Sequence, residues 1–176
     1  LSSGNFEDFL QTDAPINQGN SGGALVSTNS ELIGINSQIL SPSGGSIGIG
    51  FSIPSNMART VMETLVKNGK VRRGQLGIVV RKINSEIASS LKLKEVKGLL
   101  VADVKPGSAA DRAVIRKGDV IRAFNGTEVN DPNVFRNQVA GTQPGTAVTL
   151  TILRDGSEQQ VRATLGEFTP QTEPER

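Results

Sequence analysis

The segment Gly19-Asn20-Ser21-Gly22-Gly23-Ala24-Leu25-Val26 constrains the chain more than any other, because glycines on both sides of one serine force a tight turn directly ahead of an apolar strand. Glycine enters positive φ without steric penalty, so such a turn can approach a bound molecule closely and aim successive N–H groups at one point. A polar turn, Ser27-Thr28-Asn29-Ser30, follows, and then a second apolar run from Leu32 to Ile39. Two short strands are thereby joined as a hairpin. A serine on such a turn suits a nucleophile beside an oxyanion hole, with donors from Gly19, Asn20 and Ser21. Each donor of that kind contributes about a hundred- to a thousandfold in rate. From these residues alone, a plain Gly-Asn-Ser-Gly loop is the alternative, since short motifs recur by chance.

The residue inventory limits this chemistry. Serine needs a base to take its proton and a carboxylate to orient that base, and the 176 residues include no histidine. Zero cysteine excludes disulfides and thiolate metal sites, and without histidine few metal ligands remain, so neither a metal nor a cofactor is expected. Charge is nearly balanced, 19 basic against 17 acidic residues with both signs scattered, which gives no patch for nucleic acid or an acidic membrane. No apolar run approaches the roughly 20 residues of a membrane-spanning helix.

Gln11-Thr12-Asp13-Ala14-Pro15-Ile16-Asn17 precedes the serine motif, and Gly48-Ile49-Gly50-Phe51-Ser52-Ile53-Pro54-Ser55-Asn56 follows it. In this order the segments resemble the chymotrypsin-like serine proteases, and more closely the bacterial HtrA (Deg) family of envelope proteases, to about residue 165. The resemblance implies Ser21 as nucleophile and Gly19, Asn20 and Ser21 as the oxyanion hole. Ser37, Gln38, Ile39, Leu40 and Ser41 would pair with the substrate backbone. Ile16 and the Ile39-Leu40 segment would shape an S1 pocket for small or medium aliphatic residues. Residues 1–69 are too few for a double barrel, so the resemblance implies only the second barrel, incomplete, with the catalytic His and Asp upstream. Such a chain is expected to be inactive alone. Asp8 and Asp13 lie too near the serine to match the family's order and read as surface carboxylates.

That first part should close in a helix, with Ser55 as N-cap, Met57, Ala58, Val61, Leu65 and Val66 at helical spacing, and a stop at Asn68-Gly69. Residues 70–73 read as a solvated basic linker. Beyond them, Leu76 to Val80, Leu99 to Val101, Val120 to Phe124 and Ala147 to Leu153 read as strands, with hairpin turns at Asn125-Gly126 and Asp155-Gly156 and a helix from Asp131-Pro132 through Ala140. With Lys105-Pro106-Gly107-Ser108-Ala109-Ala110 and Lys117-Gly118-Asp119-Val120-Ile121, this order resembles a PDZ domain of the HtrA type over 74–166, followed by a flexible tail at 167–176. The fold class is therefore mainly β, an incomplete trypsin-like barrel followed by an α+β, partly open PDZ barrel.

The resemblance implies a peptide groove built from Gln75, Leu76, Gly77, Ile78, Val79, Val80, Phe135 and Val139. Gly77 would leave room for a terminal carboxylate, and Leu76, Ile78, Phe135 and Val139 would line the pocket for the last side chain. Without the resemblance those four read as core. Ala113-Val114-Ile115 departs from the family's usual Ala-Gly-Leu or Ala-Gly-Ile, and a left-handed backbone there would cost about 1–2 kcal/mol with a β-branched residue. The implied function is a periplasmic serine endopeptidase of protein quality control, acting on unfolded or misfolded proteins, with chaperone activity and trimer-based assembly in the longer protein. The alternative is a non-catalytic module that binds peptide C-termini.

Overall fold

The computed structural model describes residues 8–39 and 47–169. The chain divides into two compact units, Leu1–Val71 and Arg72–Arg176.

In the first unit, β1 (Leu10–Thr12), β2 (Ala24–Val26), β3 (Leu32–Ile39) and β4 (Gly50–Pro54) form one antiparallel sheet in the order β1-β4-β3-β2. The expected hairpin is present: Ala24 faces Ile35 and Leu25 faces Gly34 across β2 and β3. The sheet is open rather than closed into a barrel. Helix α1 (Ser55–Asn68) packs across β3 and β4. Its N-cap is Pro54, which offers no side-chain acceptor, so Ser55 is the first helical residue and not the cap. Gly69 stops the helix as foreseen, at φ 70° with its N–H donating to the Leu65 carbonyl at 2.8 Å. None of its residues is fully buried, and Val66 is 84% exposed.

The second unit holds β5 (Gly74–Gln75), β6 (Ile78–Lys82), α2 (Ser85–Ser90), β7 (Leu99–Val104), α3 (Ala109–Arg112), β8 (Val120–Phe124), β9 (Thr127–Glu128), α4 (Pro132–Gly141), β10 (Ala147–Arg154), β11 (Ser157–Thr164) and β12 (Gly166–Glu167). The main sheet runs β11-β10-β8-β7-β6, with β9 paired to β8. Alternation along β10 buries Val148, Leu150 and Ile152 on one face, where they join Leu99, Val101, Ile121, Phe124, Phe135 and Val139 in the principal apolar cluster. Asn125 (φ 48°) with Gly126 and Asp155 (φ 51°) with Gly156 form the foreseen two-residue turns. Asp131 caps α4 through its Oδ1, which accepts from the N–H groups of Asn133 and Val134.

Two expectations change. A single strand over Leu76–Val80 does not form, because Gly77 takes φ 77° and separates β5 from β6. The linker and tail are joined where they meet the second unit: Glu167 pairs with Gly74, Arg72 bonds both Glu167 carboxylate oxygens, and Phe168 donates its N–H to the Arg73 carbonyl.

Val114 takes the left-handed backbone itself, at φ 59°, rather than sitting in a shifted turn. Its cause is the end of α3. Val114 donates to the Asp111 carbonyl at 2.9 Å and Ile115 to that of Ala110 at 3.0 Å, the paired bonds of a Schellman cap whose left-handed position normally belongs to glycine. The buried Asp119 holds the next turn by accepting from the Arg116 N–H at 2.8 Å. The Arg154 guanidinium forks onto both Asp119 oxygens at 2.8 and 2.7 Å and also reaches the Val114 carbonyl at 2.8 Å. Those hydrogen bonds to Asp119, together with attraction to Asp119 and Asp155, hold the Arg154 pKa above its ordinary value against the opposing effect of burial.

Candidate functional site

The serine turn is built from local hydrogen bonds. Gly19 (φ 107°) and Gly22 (φ 85°) take backbone conformations that side-chain-bearing residues rarely adopt. The Asn20 side chain ties the preceding loop, accepting from the Asn17 N–H at 3.1 Å and donating to the Pro15 carbonyl at 3.1 Å. Gly22 donates to the Asn36 carbonyl at 2.8 Å, and Asn36 donates to that of Gly23 at 2.9 Å, so the turn is fastened to β3. A Cβ at Gly23 would meet the Asn20 carbonyl oxygen at 2.9 Å, which is why the second glycine of the pair cannot be larger.

This leaves Ser21 exposed at the tip, with its hydroxyl donating to the Ser37 carbonyl at 3.1 Å. The N–H groups of Gly19 and Ser21 donate to no other group among the described residues, whereas that of Asn20 is engaged with the Asn17 carbonyl at 3.2 Å. Two of the three candidate donors are therefore free to face a developing oxyanion, and Asn20 serves through its side chain as a brace. No imidazole in the chain can relieve Ser21 of its proton.

Ser37, Gln38 and Ile39 end β3 beside this turn, with Gln38 and Ile39 paired to Phe51 and Gly50 of β4. Leu40 and Ser41 lie outside the described residues. Ile16 is only 2% exposed and lies against Gly50, where an added Cβ would come within 2.8 Å of its Cδ1. It is a buried support under β4 here, not an open pocket wall.

In the second unit, β6 ends the main sheet, so its outer edge has no strand partner among the described residues, and α4 runs alongside β5 and β6. Leu76 and Gly77 precede β6 with N–H groups that donate to nothing among the described residues. Their carbonyls are fixed instead: Ala110 donates to Leu76 and Lys105 to Gly77, each at 2.9 Å. Gly74 allows β5 to pass against the end of α4, where a Cβ would fall 2.5 Å from the Thr142 oxygen and 2.6 Å from the Val139 oxygen. Nothing along the chain marks this packing role of Gly74, because the neighbours that impose it lie about 65 residues away in sequence.

Gln75 pairs with Gly166 and is half-buried; Ile78 and Val80 are partly buried against the principal cluster, and Val79 is exposed on the edge strand. Leu76, Phe135 and Val139 are 2%, 3% and 6% exposed and belong to that cluster, and Phe135 meets Phe124 edge-on at 5.9 Å between centroids. Their side chains are therefore core residues in this structure. The space that Gly77 leaves is taken too: a Cβ there would collide with the Ser108 side chain, so the glycine serves the turn's packing and φ before it serves a ligand.

Comparison with known proteins places both units. A trypsin family model matches residues 2–62, and a PDZ domain model matches residues 45–165, more than half of the chain and starting ahead of the second compact unit. The periplasmic serine endoprotease DegP of Escherichia coli is 49% identical over 166 residues, covering 94% of this chain and 35% of its own length. The chain belongs to the HtrA family of serine endoproteases. The periplasmic pH-dependent serine endoprotease DegQ of Escherichia coli is 48% identical over 159 residues, 90% of this chain and 35% of its own length. A solved structure of the HtrA-type protease AlgW with a tripeptide superimposes with a TM-score of 0.83 at 46% identity, covering 93% of this chain and 55% of that one. The chain thus spans about a third of the length of these curated HtrA relatives.

Proposed function

We propose that this chain supplies the nucleophile and a peptide-binding module to a periplasmic serine endopeptidase acting on unfolded or misfolded proteins. The observation that carries the reading is the exposed Ser21 between the unengaged N–H groups of Gly19 and Ser21. In this reading Ser21 attacks the scissile carbonyl. The two N–H groups bind the oxyanion, and Ser37 to Ser41 pair with the substrate backbone. The base and its orienting carboxylate come from outside these residues. Residues 1–69 serve as the later part of a trypsin-like domain, 70–73 as the connection, 74–166 as the PDZ domain and 167–176 as the segment leading out of it. Trimer-based assembly and chaperone activity belong to the same proposal for the longer protein.

Digestion of unfolded casein tests the catalytic half. The chain alone reads as background, while the longer protein turns over and loses activity with Ser21→Ala. Turnover by the chain alone that vanishes in Ser21→Ala would contradict the reading, since it requires a base among these residues.

The PDZ module is read as binding an extended peptide with a free C-terminus as an added strand on β6. The free edge of β6 and the unengaged N–H groups of Leu76 and Gly77 support it, the N–H pair being suited to a carboxylate. Calorimetry with matched free-acid and amidated peptides is the check. Equal affinities would contradict carboxylate capture.

A further inference from the structure

Strand β6 carries a charge pattern that the groove reading does not use. Its first residues, Ile78, Val79 and Val80, are apolar, while its last two, Arg81 and Lys82, are exposed cations. Neither forms an ion pair with any group among the described residues. Cross-strand partners share a face of a sheet. Lys82 lies opposite Leu99 and Val80 opposite Val101, both core residues of the principal cluster, so Lys82 belongs to the face that α4 covers. Arg81 lies opposite Leu100, which packs in the second, smaller cluster, so Arg81 belongs to the other face. The distal end of the free edge thus presents one cation on each face. The carboxylate on the neighbouring strand, Asp103, is opposite Val79 and not this end.

We infer that Arg81 and Lys82 select peptides with acidic residues at the third and fourth positions before the C-terminal residue. This rests on the peptide-binding reading above. A terminal carboxylate at the Leu76 and Gly77 N–H groups places the last peptide residue beside Ile78. An antiparallel strand then steps back one residue for each step forward along β6, so the residue three before the end lies beside Arg81 and the residue four before it beside Lys82. Side chains at successive positions point to opposite faces, as Arg81 and Lys82 do. Each cation therefore meets the peptide residue on its own side. The irregularity between Val79 and Val80 lies in the pairing with β7, on the opposite edge from the ligand. An acidic pair at both positions also covers a register displaced by one residue at one end.

Exposed ion pairs are individually weak, and two together give a few-fold to about tenfold in affinity at low ionic strength, screened at high salt. The test uses calorimetry on the 176-residue chain with three peptides that share an apolar free-acid C-terminus and differ only at those two positions, Glu-Glu, Gln-Gln or Lys-Lys, plus a C-terminal amide of each. The expected order is Glu-Glu tightest and Lys-Lys weakest, about tenfold apart, narrowing at about 0.5 M salt. The double variant Arg81→Glu, Lys82→Glu should invert the order, a gain for the Lys-Lys peptide that a misfolded protein could not give. Equal affinity for the three free acids, all tighter than their amides, overturns the inference and leaves the peptide reading standing. An unchanged order in the double variant overturns the assignment to these two residues. No difference between acids and amides overturns the carboxylate-anchored reading itself, and the inference with it.

Discussion

Residues 72–176 contain both apolar clusters, whereas among the described residues of 1–71 only Ile16, Gly34, Gly50 and Ser52 are fully buried. Both units nevertheless present backbone N–H groups from a glycine turn that are unengaged among the described residues, Gly19 and Ser21 in one, Leu76 and Gly77 in the other. The difference lies in what holds each turn. The Leu76-Gly77 turn is bonded to Ala110 and Lys105, and its Leu76 side chain is seated in the core. The serine turn is held by Asn20, by Asn17 and by the edge of β3, all exposed or half-buried. A turn with unengaged N–H groups can therefore be written locally by glycine and asparagine, while the rigidity behind it depends on burial elsewhere.

Removal of one large side chain from each unit should separate the two most widely. Phe135→Ala should destabilise the second unit by about 3–5 kcal/mol, as cavities left by buried aromatic residues do. Val66→Ala on α1 should change stability by no more than about 0.5 kcal/mol, since the side chain is exposed. Denaturant unfolding followed by circular dichroism measures both, and similar losses in the two variants would contradict the contrast.

Arg154→Met tests the turn beside the core. It leaves Asp119 buried without its cation, and a loss of about 3 kcal/mol is expected by the same measurement. A loss below about 1 kcal/mol would mean that the ion pair is no better than a surface one.

Much of this was legible along the chain. Asn-Gly and Asp-Gly pairs demand positive φ, so the turns at 125–126 and 155–156 could be placed from local chemistry alone. The period-two alternation of Ala147 to Leu153 likewise identified a half-buried strand. The left-handed position of Val114 was legible only through the family resemblance, and the Schellman bonds account for it. Contacts made far along the chain were not legible. The role of Gly74 is set by the end of α4, the lack of room for a side chain at Gly77 by Ser108, and the pairing of the buried Asp119 by Arg154. The burial of Leu76, Phe135 and Val139 agrees with the plain core reading of their residue types, whereas their expected place as pocket walls came from the family resemblance alone.

A smaller effect of opposite sign sharpens the account of α3. Val114→Gly should stabilise the second unit by about 1 kcal/mol, because it relieves a β-branched residue of left-handed φ and loses only a half-exposed side chain. A decrease in the thermal midpoint would show that the Val114 side chain makes a contact worth more than its backbone strain.

Amide hydrogen exchange on the intact chain tests the central contrast most directly. If the second unit carries the core, amides in β7, β8 and β10 should exchange only through global unfolding, and those of β1 to β4 and α1 should exchange through openings of much lower free energy. Equal protection across both units, with the β3 and β4 amides as slow as those of β8 and β10, would contradict that account.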